Sequence, residues 1–214
     1  RAFVANKIKE ATCKKYWTEA LGPLPFHEIG RRYSVGVLTP VDYGSHYKCV
    51  LHRCFLTRAR DPSAPSDKCR VCALERESVP HFGRCEGLRP VYQALRAIDK
   101  GVSWDQAPLN LHGVTLQGGV VPPGISIIHM CVWKEILKEM MQDKFNATAA
   151  LCRAAERIHS RLEGYTRKKL NEKLTLEAKG REANSKSIHN KLEVITFIGD
   201  DGDVMMDPMI KRWI

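Results

Sequence analysis

Cys69, Cys72, His81 and Cys85 stand in the order C-x2-C-x8-H-x3-C. Three thiolates and one imidazole complete a tetrahedral shell for Zn²⁺ and leave no position open for water. A closed shell of this kind holds a fold together or presents a surface; it does not hydrolyse. Two cysteines separated by two residues form a tight turn whose backbone amides point at the sulfurs and make them better thiolates. Pro80 suits the first position of a helix, where its missing N–H costs nothing. A helix beginning there puts His81 and Cys85, four apart, on one face. Asp67, Lys68, Arg70, Glu75, Arg76, Glu77 and Arg84 around the ligands are solvent-type residues, so core burial alone cannot hold this stretch. Structural zinc contributes on the order of 10–16 kcal/mol to small sites, which is ample. The competing reading is four unrelated thiol and imidazole side chains, some of them paired as a disulfide.

Other residues that could support catalysis do not assemble into a pattern. Cys49 and His52 lie three apart on an expected helix face, as a thiolate beside a base would, but core packing plus a surface histidine is the better description. No Ser-centred elbow, phosphate-cradling glycine loop or open zinc motif is present. Gly199-Asp200-Asp201 sits between two apolar segments and superficially imitates the aspartate hairpin of a two-metal polymerase. It follows the zinc segment, and no earlier strand offers the third aspartate, so it reads as an acidic turn. Asp201-Gly202-Asp203 likewise lacks the distal Glu of a calcium loop. The chain as given is therefore expected not to be an enzyme.

The 214 residues are 43% apolar, enough for a modest core in one or two domains. Lys and Arg number 34 against 24 Asp and Glu, a net charge of +10, which favours a polyanionic partner, usually nucleic acid. The other cysteines are scattered through apolar segments, and no run of about 18 apolar residues could span a membrane. With no signal-type segment in evidence, the expected setting is a reducing one, nucleus or cytoplasm, with no membrane partner. The sequence opens on Arg1 rather than Met, as a piece of a longer chain would.

Apolar spacing supplies the scaffold. Residues 3–21 read as a helix stopped by Gly22-Pro23, followed by an irregular connection through Pro40. A second amphipathic helix is expected over 44–58, with Tyr47, Val50, Leu51, Cys54 and Phe55 inward. Pro90 opens a helix to about Ile98 that buries Val91, Leu95 and Ile98. Residues 101–124, rich in Gly and Pro, read as a long loop. Ile125, Ile128, Val132, Ile136 and Met140 then form a wide apolar face. A further helix carries Ala147, Leu151, Ala154, Ile158 and Leu162 and pairs with the preceding one against the zinc region. From 153 to 192 eleven Lys and Arg oppose five Glu, as in either a solvated helix fraying into a linker or a nucleic-acid-binding arm. Residues 193–206 read as a β-hairpin with an acidic turn. The fold class is mainly α: a small zinc-stabilised helical domain with a C-terminal helical, basic extension and a terminal β-hairpin. Its segments are 1–43 (N-terminal helix and connection), 44–142 (zinc-binding domain), 143–192 (basic extension) and 193–214 (hairpin tail).

A basic amphipathic helix and turn (His46 to Arg60), C-x2-C, a short charged loop, H-x3-C and a later apolar helix bearing Val132-Trp133-Lys134 follow one another. Over residues 44–142 this order resembles the zinc-binding domain that follows the polymerase core in reverse transcriptases of non-LTR (LINE-type) retroelements. Retroviral zinc knuckles differ, because only four residues precede their histidine. The family usually has Pro after the first cysteine and Gly after the second, where this chain has Arg70 and Ala73; a positive φ is harder for Ala than for Gly. The family's final helix is richer in tryptophan and is followed by Arg-Asn, where here Glu135 follows Trp133-Lys134. The resemblance implies a nucleic-acid-binding module beside an upstream polymerase domain, holding template RNA or target DNA. On that reading Arg53, Arg58, Arg60, Arg70, Arg84 and Arg89 contact phosphates, joined by Arg167, Lys168 and Lys169 if the basic stretch folds back. Tyr47, Phe55 and Phe82 are the only stacking candidates nearby, so binding is expected to be mainly electrostatic. The alternative is a structural or protein-interaction zinc domain with no nucleic-acid role.

Overall fold

A computed structural model of the chain describes residues 17–19, 23, 37–46, 61, 63–64, 66–98, 123–178, 196–198 and 204–206. These residues are mainly α-helical. In chain order they form α1 (Pro40–His46), α2 (Val79–Phe82), a 3-10 turn (Glu86–Leu88), α3 (Arg89–Ile98), α4 (Pro123–Glu139) and α5 (Ala147–Glu177). Strand β1 (Thr196–Ile198) pairs antiparallel with β2 (Val204–Met206), Phe197 opposite Met205. The acidic turn expected between them lies outside the described residues. So do residues 47–60, most of the expected helix over 44–58, and all but the end of the one expected over 3–21. No helix among the described residues is long and apolar enough to cross a membrane.

Helix α4 is the centre of the molecule. Its periodicity predicts one wide apolar face, yet it is buried nearly all round: Ile127, Met130 and Cys131 are as enclosed as Ile125, Ile128 and Val132. A helix apolar on every side must be surrounded. Helix α5 covers one side with Ala150, Ala154, Ala155, Ile158, Leu162 and Tyr165 buried, and its small alanines let the two backbones approach closely. Helix α3 buries Val91, Tyr92 and Leu95, while Ile98 is only partly buried against the same core. Phe82, from the metal segment, meets Trp133 of α4 with ring centroids 6.4 Å apart at 58°. Phe82 and Trp133 are both buried in one continuous core, so Phe82 is a packing residue and not a stacking platform.

Buried charge was not expected from the pattern. Helix α1 begins with a reciprocal cap: the Asp42 carboxylate accepts from Thr39 N–H at 3.0 Å and from the Thr39 hydroxyl at 2.7 Å, while Asp42 N–H donates to Thr39 Oγ1 at 3.3 Å. This capping box sits around Pro40, which starts the helix. The same carboxylate, 4% exposed, accepts from Lys134 Nζ at 2.6 Å and Arg161 Nε at 2.8 Å. Arg157 Nε donates to Glu135 at 2.6 Å, and Arg153 pairs with Glu139. Arg153, Arg157 and Arg161 therefore do not begin a free basic arm. They lie on one face of α5 and meet carboxylates of α4 and α1.

Candidate metal centre

The ligand segment is built from a turn, a short helix and an extended residue. Cys69 N–H donates to Glu75 O at 2.8 Å and Ala73 N–H to Cys69 O at 2.7 Å, closing the loop that carries Cys72. An isolated bridge between Lys68 and Arg76 seals its base. Ala73 takes φ 58°, the left-handed conformation that glycine adopts freely. The sequence anticipates this cost, because a positive φ is harder for Ala than for Gly. Gly87 matters for a different reason: a Cβ there would lie 2.5 Å from Val71 Cγ1 and 3.3 Å from Val71 O, so the turn can rest against the 3-10 segment only with no side chain.

The geometry corrects one expectation. Helix α2 spans only Val79–Phe82, capped by Ser78, whose side chain accepts from His81 N–H at 3.2 Å. Gly83 ends it, and Arg84 N–H turns back to His81 O at 3.0 Å. Cys85 follows in extended conformation, φ −66° and ψ 117°. His81 and Cys85 thus do not share a helix face. The break instead swings the Cys85 sulfur toward Cys69, and the two Sγ atoms are 3.9 Å apart.

All four ligand atoms lie within 4.8 Å of one another, with Cys69, His81 and Cys85 buried and Cys72 partly so. The Cys72 Sγ to His81 Nε2 distance is 3.3 Å. A zinc tetrahedron with bonds of about 2.3 Å to sulfur and 2.0–2.1 Å to nitrogen has edges of about 3.8 Å and 3.6 Å. The 3.9 Å and 3.3 Å separations come near these edges, within a group of four ligand atoms that all lie within 4.8 Å of one another. The Cys69 and Cys85 sulfurs are close enough to share one proton, which lowers the Cys69 pKa and raises that of Cys85. Three sulfurs this close cannot all be thiolates without a cation between them. The Cys3His group can bind a metal ion, and its donor set and closed shape suit zinc.

Charge around the centre is balanced. Arg70 Nε pairs with buried Glu77 at 2.9 Å, and its Nη1 lies 3.3 Å from the Met141 sulfur. Arg76 meets Asp67 at 3.3 Å, Arg84 meets Glu75 at 2.8 Å and Arg89 meets Glu86 at 3.2 Å. Between Asp61 and Ile98 six Lys and Arg face five Asp and Glu. Of the basic residues read as phosphate contacts, Arg70, Arg84 and Arg89 are thus held by carboxylates beside the metal segment. Arg167 pairs with Glu163 at 2.7 Å on exposed α5, next to exposed Lys168. Lys169 lies on the same helix, while Arg53, Arg58 and Arg60 fall outside the described residues. Asp42, Glu135 and Glu139 escaped the hydrophobic pattern. The one sequence feature that accompanies them is the row Arg153, Arg157, Arg161 at helical spacing, which by itself fits a solvated face as well. No protein-family model, curated protein or solved structure matches the chain.

Proposed function

We propose that the chain is a zinc-clasped helical module that holds nucleic acid, RNA or target DNA, through a basic surface, as the region following a retroelement reverse-transcriptase core does. The observation that carries the zinc half is the convergence of Cys69, Cys72, His81 and Cys85 within 4.8 Å. A closed Cys3His shell is structural: it pins the turn, α2 and the start of α3 to the α4 core, and it leaves binding to surface cations.

The charge balance redistributes the expected contacts. Arg70, Arg84 and Arg89 are engaged by acids, whereas residues 47–60 hold Lys48, Arg53, Arg58 and Arg60 with no Asp or Glu. That stretch, with Lys168 and Lys169 on α5, carries the phosphate contacts, while Arg167, paired with Glu163, contributes less. Phe82 is buried in the core and offers no stacking platform, and on this reading affinity is mainly electrostatic and steeply salt-dependent.

The test is anisotropy of labelled single-stranded RNA and duplex DNA with the full zinc-loaded chain between 50 and 200 mM salt. Replacing Arg53, Arg58 and Arg60 by Ala lowers affinity and flattens the log–log salt slope for single strands by about 2. Replacing Arg70, Arg84 and Arg89 changes the slope by less. Binding that ignores salt refutes the proposal. The second reading, a structural or protein-interaction zinc domain, is favoured by the near-neutral surroundings of the centre. It predicts no nucleic-acid affinity even at the lowest salt.

A further inference from the structure

We propose that Glu75 is a positioning residue of the metal centre: its carboxylate accepts a hydrogen bond from the His81 Nδ1–H and so fixes Nε2 as the ligand atom. The inference rests on the metal reading above and concerns which residue outside the four ligands sets the affinity. His81 is 2% exposed. Its Nε2 faces the thiols, 3.3 Å from Cys72 Sγ. Its Nδ1 faces away from them, 3.3 Å from Glu75 Oε2. Nδ1 is fully enclosed and makes no hydrogen bond of normal geometry, and Glu75 Oε2 is the acceptor that approaches it.

A neutral imidazole carries one proton, and a metal on Nε2 requires that proton on Nδ1. Binding a cation at Nε2 makes the Nδ1–H more acidic, and an acceptor carboxylate then both fixes the tautomer and raises the basicity of the ligand. Glu75 is placed for this by the metal loop itself, since its carbonyl accepts from Cys69 N–H at 2.8 Å. Arg84 Nη2 grips the same Oε2 at 2.8 Å, and this hydrogen bond is the main reason the Glu75 carboxyl lies below its ordinary pKa. Arg84, Glu75 and His81 therefore line up, guanidinium to carboxylate to imidazole, behind the Nε2 that faces the thiols. Glu75 is 53% exposed, which puts its effect at the weak end of the 10–100-fold seen for such partners.

The experiment measures zinc affinity of the full chain by chelator competition, with nitrogen-15 spectra of His81 in the zinc-saturated protein. Glu75→Ala is expected to weaken zinc binding about 10-fold and to speed solvent exchange of the His81 Nδ1 proton. Glu75→Gln keeps an acceptor oxygen and is expected to recover most of the affinity. It also preserves the test if the alanine variant does not fold. Wild-type spectra should show Nδ1 protonated and Nε2 bound to metal. Affinities of both variants within twofold of wild type, or ligation through Nδ1, overturn the role of Glu75 while leaving the metal site intact. A wild-type chain that takes up no zinc overturns the metal reading itself.

Discussion

Replacing Asp42 by Ala should be among the most damaging single changes outside the metal ligands. Its carboxylate, 4% exposed, takes hydrogen bonds from Thr39, Lys134 and Arg161 and so joins α1 to both α4 and α5. Removing one partner of a buried ion pair costs about 3–5 kcal/mol, because the other charge is left enclosed. Lys134 and Arg161 keep 14% and 27% of their side-chain exposure, so water relieves part of that penalty. Loss of the cap at the start of α1 adds about 1 kcal/mol. The expected total is about 3 kcal/mol, a factor of roughly 150 in the folding equilibrium, against a typical domain stability of about 5–15 kcal/mol. Asp42→Asn keeps the cap acceptor and loses only the charge, so about half of the effect should remain.

Urea unfolding followed by helical circular dichroism reads both variants, with a lowered midpoint and an unchanged slope. The pH dependence gives a second check. Burial alone would raise the Asp42 pKa, but hydrogen bonds from Lys134, Thr39 and Arg161 outweigh it and hold the carboxyl well below its ordinary 3.8. A depressed folded pKa means that the stabilisation is complete above about 4 and is lost as pH falls further toward the depressed value. The gap between wild type and Asp42→Asn should therefore be constant from pH 7 to 5 and shrink below pH 4. An Asp42→Ala variant within about 0.5 kcal/mol of wild type at pH 7, the usual range for a surface change, refutes the reasoning.

Ala73→Gly should stabilise the zinc-loaded protein by about 1 kcal/mol, because it removes a side chain from a φ of 58°; the urea midpoint measures it. Gly87→Ala should act in the opposite sense by about 1–3 kcal/mol, since its Cβ would press on Val71, and chelators should then strip metal faster. Chelation of the wild type should raise amide hydrogen exchange across residues 67–88 before it does so in α4, whose amides lie in the core built with α5.

Much of the architecture was legible because long apolar periods survive folding. The spacing of Ile125 to Met140 and of Ala147 to Leu162 fits helices that the structure gives as Pro123–Glu139 and Ala147–Glu177. The four metal-segment residues were legible because C-x2-C forces a turn and few other patterns place three thiols and an imidazole so close. Local geometry was less legible. Helix α2 stops at Phe82 and the backbone turns extended at Cys85, which replaces a helical pair by a helix–extended pair. Charge was least legible, because a pattern that sends every Arg and Glu outward cannot see that Glu135 and Arg157 face each other across two helices. Net charge does not reveal such pairing either: Arg70, Arg84 and Arg89 count as positive in the sequence but sit beside Glu77, Glu75 and Glu86.

Zinc content per chain tests the account most directly, measured by elemental analysis on the full protein purified without chelators, wild type beside Cys72→Ser. The closed Cys3His shell predicts one zinc per wild-type chain and a large loss of it in the variant. A wild-type chain holding far less than one zinc, or a variant that retains it fully, would contradict the account.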